Sequence, residues 1–300
     1  MKAGFLGTGS MGLPLASILL DRERSLVAFD VNPEATRPLA EKQARIVGSP
    51  AEVAAETDIV LACVPSVAAL HAVVTGPDGV LRAKGRRMSI FVNLATVGSE
   101  AAEEAEKALA AEGVAMLDAP VTGGVARAWK GDITVVASGP RAVYEAAEPT
   151  LKNMAGAVHH VGERVGQAQV VKVANNIMSF TNLVVALEAL VMTAKAGIDP
   201  EKTLAVINTG TGQNSASLTK VPAAILNRKF NLQAPIYITE KDANLWRTEA
   251  ERLDVPQTVA SATYQVMRQA VAMGLRNGDL SELLKVVERA AAFELPKTRD

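Results

Sequence analysis

Lys2-Ala3-Gly4-Phe5-Leu6-Gly7-Thr8-Gly9-Ser10-Met11-Gly12 carries a short apolar run straight into a Gly-x-Gly-x-x-Gly turn. Behind it Leu13, Ala16, Ile18, Leu19 and Leu20 recur at helical spacing. A second apolar run, Leu26-Val27-Ala28-Phe29, ends on Asp30, eighteen residues after Gly12. Strand, glycine turn, helix, strand and acid in that order make a dinucleotide-binding βαβ unit. Gly7 allows the tight turn, Gly9 lets the backbone approach a pyrophosphate, and Gly12 lets helix and strand pack closely. Thr8, Ser10 and Met11 fill the turn, and the helix N-terminus behind it offers N–H groups and a positive dipole end to phosphates. Asp30 is placed to accept hydrogen bonds from the adenosine ribose, and its charge opposes a 2'-phosphate. Val31 and Asn32 follow with no arginine beside them, so NAD is the expected cofactor and NADP the alternative.

Working outward, strand patterns recur at Ile59–Val64, Ser89–Leu94, Ala115–Asp118, Thr134–Ala137 and Val158–Val161, with helical stretches between most of them. That alternation implies parallel pairing with right-handed crossovers. The expected fold is α/β: an N-terminal Rossmann-type doubly wound sheet over residues 1–163, then an all-helical domain over 164–300, joined by a long interdomain helix. Ligands of such sheets lie beyond the carboxyl ends of the strands, which draws attention to three segments. These are Val64-Pro65-Ser66, Ala95-Thr96-Val97, and Ala119-Pro120-Val121-Thr122-Gly123-Gly124. Pro65 and Thr96 equally fit plain strand terminators. Two glycines after a hydroxyl expose N–H groups that suit a carboxylate, against the alternative of a flexible turn.

The long helix is announced by Gly166-Gln-Ala-Gln-Val-Val-Lys172-Val-Ala-Asn175-Asn176 and the apolar run after it. Lys172, Asn175, Asn176 and Ser179 fall at i, i+3, i+4 and i+7, one face of a helix whose other positions are mostly apolar. A lysine buried in such a helix needs a partner or a task, so Lys172 is the first candidate for chemistry. Further on, Asn208–Ser215 is a polar loop, and Lys241-Asp242 fits a solvated helix face from its local pattern.

Composition narrows the function classes. The chain has 300 residues, 49% hydrophobic and 21% charged, with net charge -1. Without a basic run there is no electrostatic footprint for nucleic acid or an anionic membrane. Lys172 and Glu188 leave about fifteen uncharged residues between them, short of the roughly 20 of a spanning helix, so no membrane span is expected. The chain starts on a strand pattern, leaving no room for a signal peptide. Cys63 is the single cysteine, which excludes an intramolecular disulfide and fits a reducing cytoplasm; within Ile59–Val64 it reads as a small core residue rather than a nucleophile. His71, His159 and His160 form no triad or metal pattern, and no metal is expected.

Four motifs in this order resemble the β-hydroxyacid dehydrogenase family, whose best-known branch is 3-hydroxyisobutyrate dehydrogenase. They are Gly7-x-Gly9-x-x-Gly12; Asp118-Ala-Pro-Val-Thr-Gly-Gly124 with Ala128 and Gly131; Gly166-x5-Lys172-x-x-Asn175-Asn176; and Lys241-Asp242. The resemblance implies hydride transfer between a nicotinamide and a short β-hydroxy acid or its semialdehyde. It implies that Lys172 is catalytic, that Thr122, Gly123, Gly124 and Asn176 hold the substrate, and that Lys241 approaches the cofactor. It also implies that Val64, Pro65 and Thr96 line the nicotinamide end, and that the chain assembles as a homodimer or homotetramer. Two departures point to a differently shaped substrate: Thr122 stands where the family usually has Ser, and Ala234-Pro235 where members commonly have Phe. The rivals are an imine reductase on the same fold, a branch that generally lacks the lysine, and a noncatalytic dinucleotide-binding module.

Overall fold

The computed structural model describes residues 1–298. The chain divides into two compact units, Met1–Lys172 and another from Val173 onward, and the division falls inside the helix Gln167–Lys195.

The first unit is built on a nine-stranded sheet. Its strands are β1 (Ala3–Leu6), β2 (Val27–Phe29), β3 (Arg45–Ile46), β4 (Ile59–Ala62), β5 (Ile90–Asn93), β6 (Ala115–Asp118), β7 (Val121–Thr122), β8 (Thr134–Ser138) and β9 (Ala157–Gly162). The order is β3-β2-β1-β4-β5-β6-β8-β7, with β9 beside β8. Through β6 every pairing is parallel, in the 3-2-1-4-5-6 order of a Rossmann sheet. β1, β4 and β5 are buried at every position, because helices cover both faces. Alternate side chains supply the two cores: Phe5, Leu61, Val92 and Leu117 on one face, Leu6, Val60, Phe91 and Met116 on the other.

The sheet departs from uniform parallel pairing at β8, which runs antiparallel to β6 and β7. Between β6 and β8 the chain forms only β7 and the four-residue helix Val125–Ala128. So short a helix cannot carry a crossover over the sheet, and the chain doubles back instead. Cys63 lies one residue past β4 rather than within it, half-buried, with burial pushing its thiol up to about 12. That leaves it protonated and poorly nucleophilic at neutral pH.

The regular elements of the second unit are helical, centred on Leu183, Leu187 and Leu190 of the long helix with Leu204, Ile225, Ile236, Met267 and Leu284 around them. The long helix ends before Gly197 (φ +85°), and Asp199 caps the next, Pro200–Thr209, by accepting from Glu201 N. The long helix has the length and apolar character of a membrane span, with half of its most apolar window buried inside the fold. Ala234, at the second departure from the family pattern, packs against this helical core, its N–H held by Asp279 Oδ2 at 3.2 Å.

Candidate active site

The glycine turn joins β1 to the helix Gly12–Glu23, and its three glycines have different reasons to be glycine. A Cβ on Gly7, whose φ is +85°, would sit 2.4 Å from the Cys63 carbonyl; one on Gly12 would sit 1.9 Å from the Gly7 carbonyl. Those two are demanded by the fold itself. A Cβ on exposed Gly9 would meet nothing within 4 Å. No protein contact requires a glycine there, and the open cradle fits a group that must approach the backbone from outside. Met11 at the helix N-cap has no side-chain oxygen to cap it, and the first turn carries no acid, so the dipole end is arranged for an anion. Thr8 is buried, and Ser10 is exposed beside Gly9.

Asp30 follows β2. Its Oδ2 accepts from Thr8 N at 2.6 Å and Thr8 Oγ1 at 3.3 Å, and its Oδ1 accepts from Asn32 N at 2.8 Å. The acid that the sequence suggested for a ribose therefore also braces the glycine turn.

At the other strand ends, Val64 packs on the core, Pro65 is exposed, and Ser66 caps the helix Val67–Thr75 through Ala69 N. Thr96 is half-buried in the loop after β5. Thr122 pairs with Thr134 across β7 and β8. Gly123 (φ +138°) and Gly124 (φ +79°) follow it in conformations that L-residues rarely adopt, which directs this turn and its N–H groups.

Beneath these segments lies a buried polar cluster that motif reading did not assemble. Asn93 and Asp118 end neighbouring strands in register, and Asn93 Nδ2 donates to Asp118 Oδ1 at 2.9 Å. Gln169, from the first turn of the long helix, donates through Nε2 to the same oxygen at 2.7 Å and to the Ala95 carbonyl at 3.0 Å. Its Oε1 accepts from Val97 N at 2.9 Å and Gly98 N at 3.1 Å. All three side chains are fully buried. Burial pushes the Asp118 carboxyl up to about 7, against the opposing hydrogen bonds from Gln169 and Asn93. Backbone N–H groups of Gly166 and Gln169 also oppose that shift. The available sequence signal was the position of Gln169, three residues before Lys172 and so on an adjoining turn.

Lys172 is buried at 8% exposure, on the same helix as Asn176 one turn later, also 8%. Within the second unit, Asn176 Nδ2 donates to Asp242 Oδ2 at 2.8 Å, and Asn175 Nδ2 donates to Asn176 Oδ1 at 3.2 Å. Lys241 Nζ lies 3.0 Å from Asp242 Oδ1; that oxygen accepts no directed hydrogen bond, so the contact is an ion pair rather than an aligned bond. Asp242 is buried, and the pair is therefore not the solvated face its local pattern suggested.

Residues 2–162 match the NAD binding domain of 6-phosphogluconate dehydrogenase, and residues 166–287 match the NAD-binding domain of NADP-dependent 3-hydroxyisobutyrate dehydrogenase. The chain is 31% identical to L-threonate dehydrogenase of Cupriavidus necator over 98% of its own length and 97% of the relative's. The chain belongs to the β-hydroxyacid dehydrogenase family. Another relative, 2-(hydroxymethyl)glutarate dehydrogenase of Eubacterium barkeri, is 29% identical over 96% of this chain and 95% of that protein. The crystal structure of 3-hydroxyisobutyrate dehydrogenase from Salmonella typhimurium superposes with a TM-score of 0.85 at 28% identity, covering 95% of this chain and 99% of that one. This β-hydroxyacid dehydrogenase is an NAD(P)-dependent oxidoreductase of the CH–OH class. The open cradle over Gly9 and the acid-free helix N-terminus fit its dinucleotide.

Proposed function

We propose that the enzyme interconverts a short β-hydroxy acid and its semialdehyde with NAD, Lys172 serving as general acid and base. The observation that carries this reading is the placement of Lys172: a buried lysine one turn after Gln169, whose side chain grips the β5 loop and the end of β6. A bound nicotinamide dinucleotide supplies the hydride chemistry. Gly7, Gly9, Gly12 and the N-terminus of helix Gly12–Glu23 hold its phosphates in this reading, and Asp30 its ribose. Val64, Pro65, Thr96 and Lys241 belong at the nicotinamide end.

The protein's own work is orientation and proton transfer. Thr122 and the N–H groups of Gly123 and Gly124 receive the substrate carboxylate. Asn176, oriented by its bond to Asp242, fixes the reacting oxygen relative to Lys172. In oxidation the neutral amine of Lys172 takes the hydroxyl proton; in reduction its ammonium gives a proton to the developing alkoxide, a role typically worth about 10²- to 10⁴-fold. Lys172 also weighs against an imine reductase.

A screen of 3-hydroxy acids, semialdehydes and cyclic imines, followed by cofactor absorbance with NAD and NADP in parallel, tests the assignment. Turnover of hydroxy acids, lost in Lys172→Ala while NAD binding persists, is the expected result. Comparable turnover in that variant, or turnover of imines alone, overturns it.

For assembly, Val171, Met178, Val185 and Met192 recur every seven residues along the long helix and are 42%, 66%, 51% and 68% exposed. A seven-residue apolar stripe suits a helix from a second copy, which supports a dimer or a higher oligomer. Light scattering of the wild type and of Met178→Glu/Met192→Glu measures this; an unchanged mass in the variant removes the stripe from the interface.

A further inference from the structure

The helical unit contains a cation that the mechanism above does not use. Lys220 stands on Ala216–Ile225, a segment wound in wide π-helical turns, which frequently occur at functional sites. Its ammonium donates to the Ser179 carbonyl at 3.3 Å and makes a shorter bond to Ser179 Oγ. Both acceptors are neutral. Among the described residues no carboxylate lies within ion-pairing distance of Lys220, in contrast to Lys241, whose charge is matched by Asp242. Burial holds the Lys220 amine down at about 8. A desolvated ammonium with a donor to spare is the chemistry of an anion site.

Its position on the long helix says which anion. Ser179 shares one helix face with Lys172 and Asn176, at i, i+4 and i+7. From Asn176 to Ser179 the helix rises ~4.5 Å, the reach of a short carbon chain. We propose that Lys220 and Ser179 form a distal anion subsite, making the substrate a β-hydroxy acid with a second carboxylate a few carbons from the reacting hydroxyl. This rests on the hydroxy-acid reading and deepens it. The reacting hydroxyl lies against Asn176 on this helix, and the second carboxylate displaces the Ser179 contact on Lys220.

The test compares kcat/KM for a diacid, 2-(hydroxymethyl)glutarate, with that for a monoacid, 3-hydroxyisobutyrate, in the wild type and in Lys220→Gln, Lys220→Arg and Ser179→Ala. Wild type should favour the diacid; Lys220→Gln should cut the diacid-to-monoacid ratio roughly ten- to a hundred-fold, mostly through KM for the diacid, and Lys220→Arg should restore most of it. Glutarate, which has no hydroxyl to oxidise, should raise the melting temperature of NAD-loaded wild type and fail to do so for Lys220→Gln. A wild type that favours the monoacid, or a ratio unmoved by Lys220→Gln and by Ser179→Ala, overturns the subsite and leaves the hydroxy-acid reading intact. Absence of turnover with either acid, while glutarate still protects wild type over Lys220→Gln, overturns the hydroxy-acid reading and supports the anion site.

Discussion

Gln169 Nε2 donates to Asp118 Oδ1 at 2.7 Å, joining the helix that carries Lys172 to the strand that leads into Thr122. Through its other bonds Gln169 also holds the loop of Thr96. One side chain thus links the three segments on which the proposed chemistry stands.

Replacing Gln169 with Leu strands the Val97 and Gly98 N–H groups in a dry interior, at a cost of about 1–3 kcal/mol per unsatisfied group. Urea unfolding should report the loss. Beyond that, kcat should fall more than NAD affinity, because the turn leading to Lys172 loses its anchor. A variant that is destabilised but unaltered in kcat limits Gln169 to holding the fold.

Asp118 should make stability depend on pH. An ordinary carboxyl titrates near 3.9, whereas burial raises Asp118 to about 7 in the folded chain. Between about 4 and 7 the unfolded chain has released this proton and the folded chain keeps it, so stability falls as pH rises. The contribution is complete below about pH 4 and gone once pH has passed through 7, a difference on the order of 4 kcal/mol. Melting curves across that window should lose this slope in Asp118→Asn; an identical slope in the variant would assign it to other groups.

The glycines of the turn separate fold from binding. Gly12→Ala forces a Cβ to 1.9 Å from the Gly7 carbonyl and should cost several kcal/mol of stability or prevent folding. Gly9→Ala meets no protein atom within 4 Å, so its melting temperature should stay near wild type while NAD binding weakens. Calorimetry on both variants decides, and undiminished binding in Gly9→Ala would remove the cradle from the cofactor site.

Asp30→Ser should shift preference toward NADP by relieving repulsion of the 2'-phosphate. Because Asp30 Oδ2 also accepts from Thr8 N, NAD binding should weaken at the same time as the turn loosens. Cofactor titration measures both, and an unchanged NAD-to-NADP ratio makes Asp30 a brace for the turn alone.

Seven of the nine strands, the dinucleotide turn, the helical second half and the face joining Lys172 to Asn176 were legible along the chain, whereas the two-residue strands β3 and β7 are too short to show a period. Each legible feature depends on neighbours in sequence: a period of 2 or 3.6, a glycine spacing, a cap beside its helix. What only the tertiary structure decided are contacts between distant residues. Asp118 meets Gln169 across 51 positions, Asn176 meets Asp242 across 66, and Lys220 meets Ser179 across 41. Lys241-Asp242 looked like a solvated face because a local pattern cannot tell water from a buried partner. The antiparallel turn at β8 was likewise set by how little helix lies between two strands, a competition among pairings that no local period records. Burial and long-range hydrogen bonding fix the charge states and orientations of these groups, and both exist only once the chain has closed on itself.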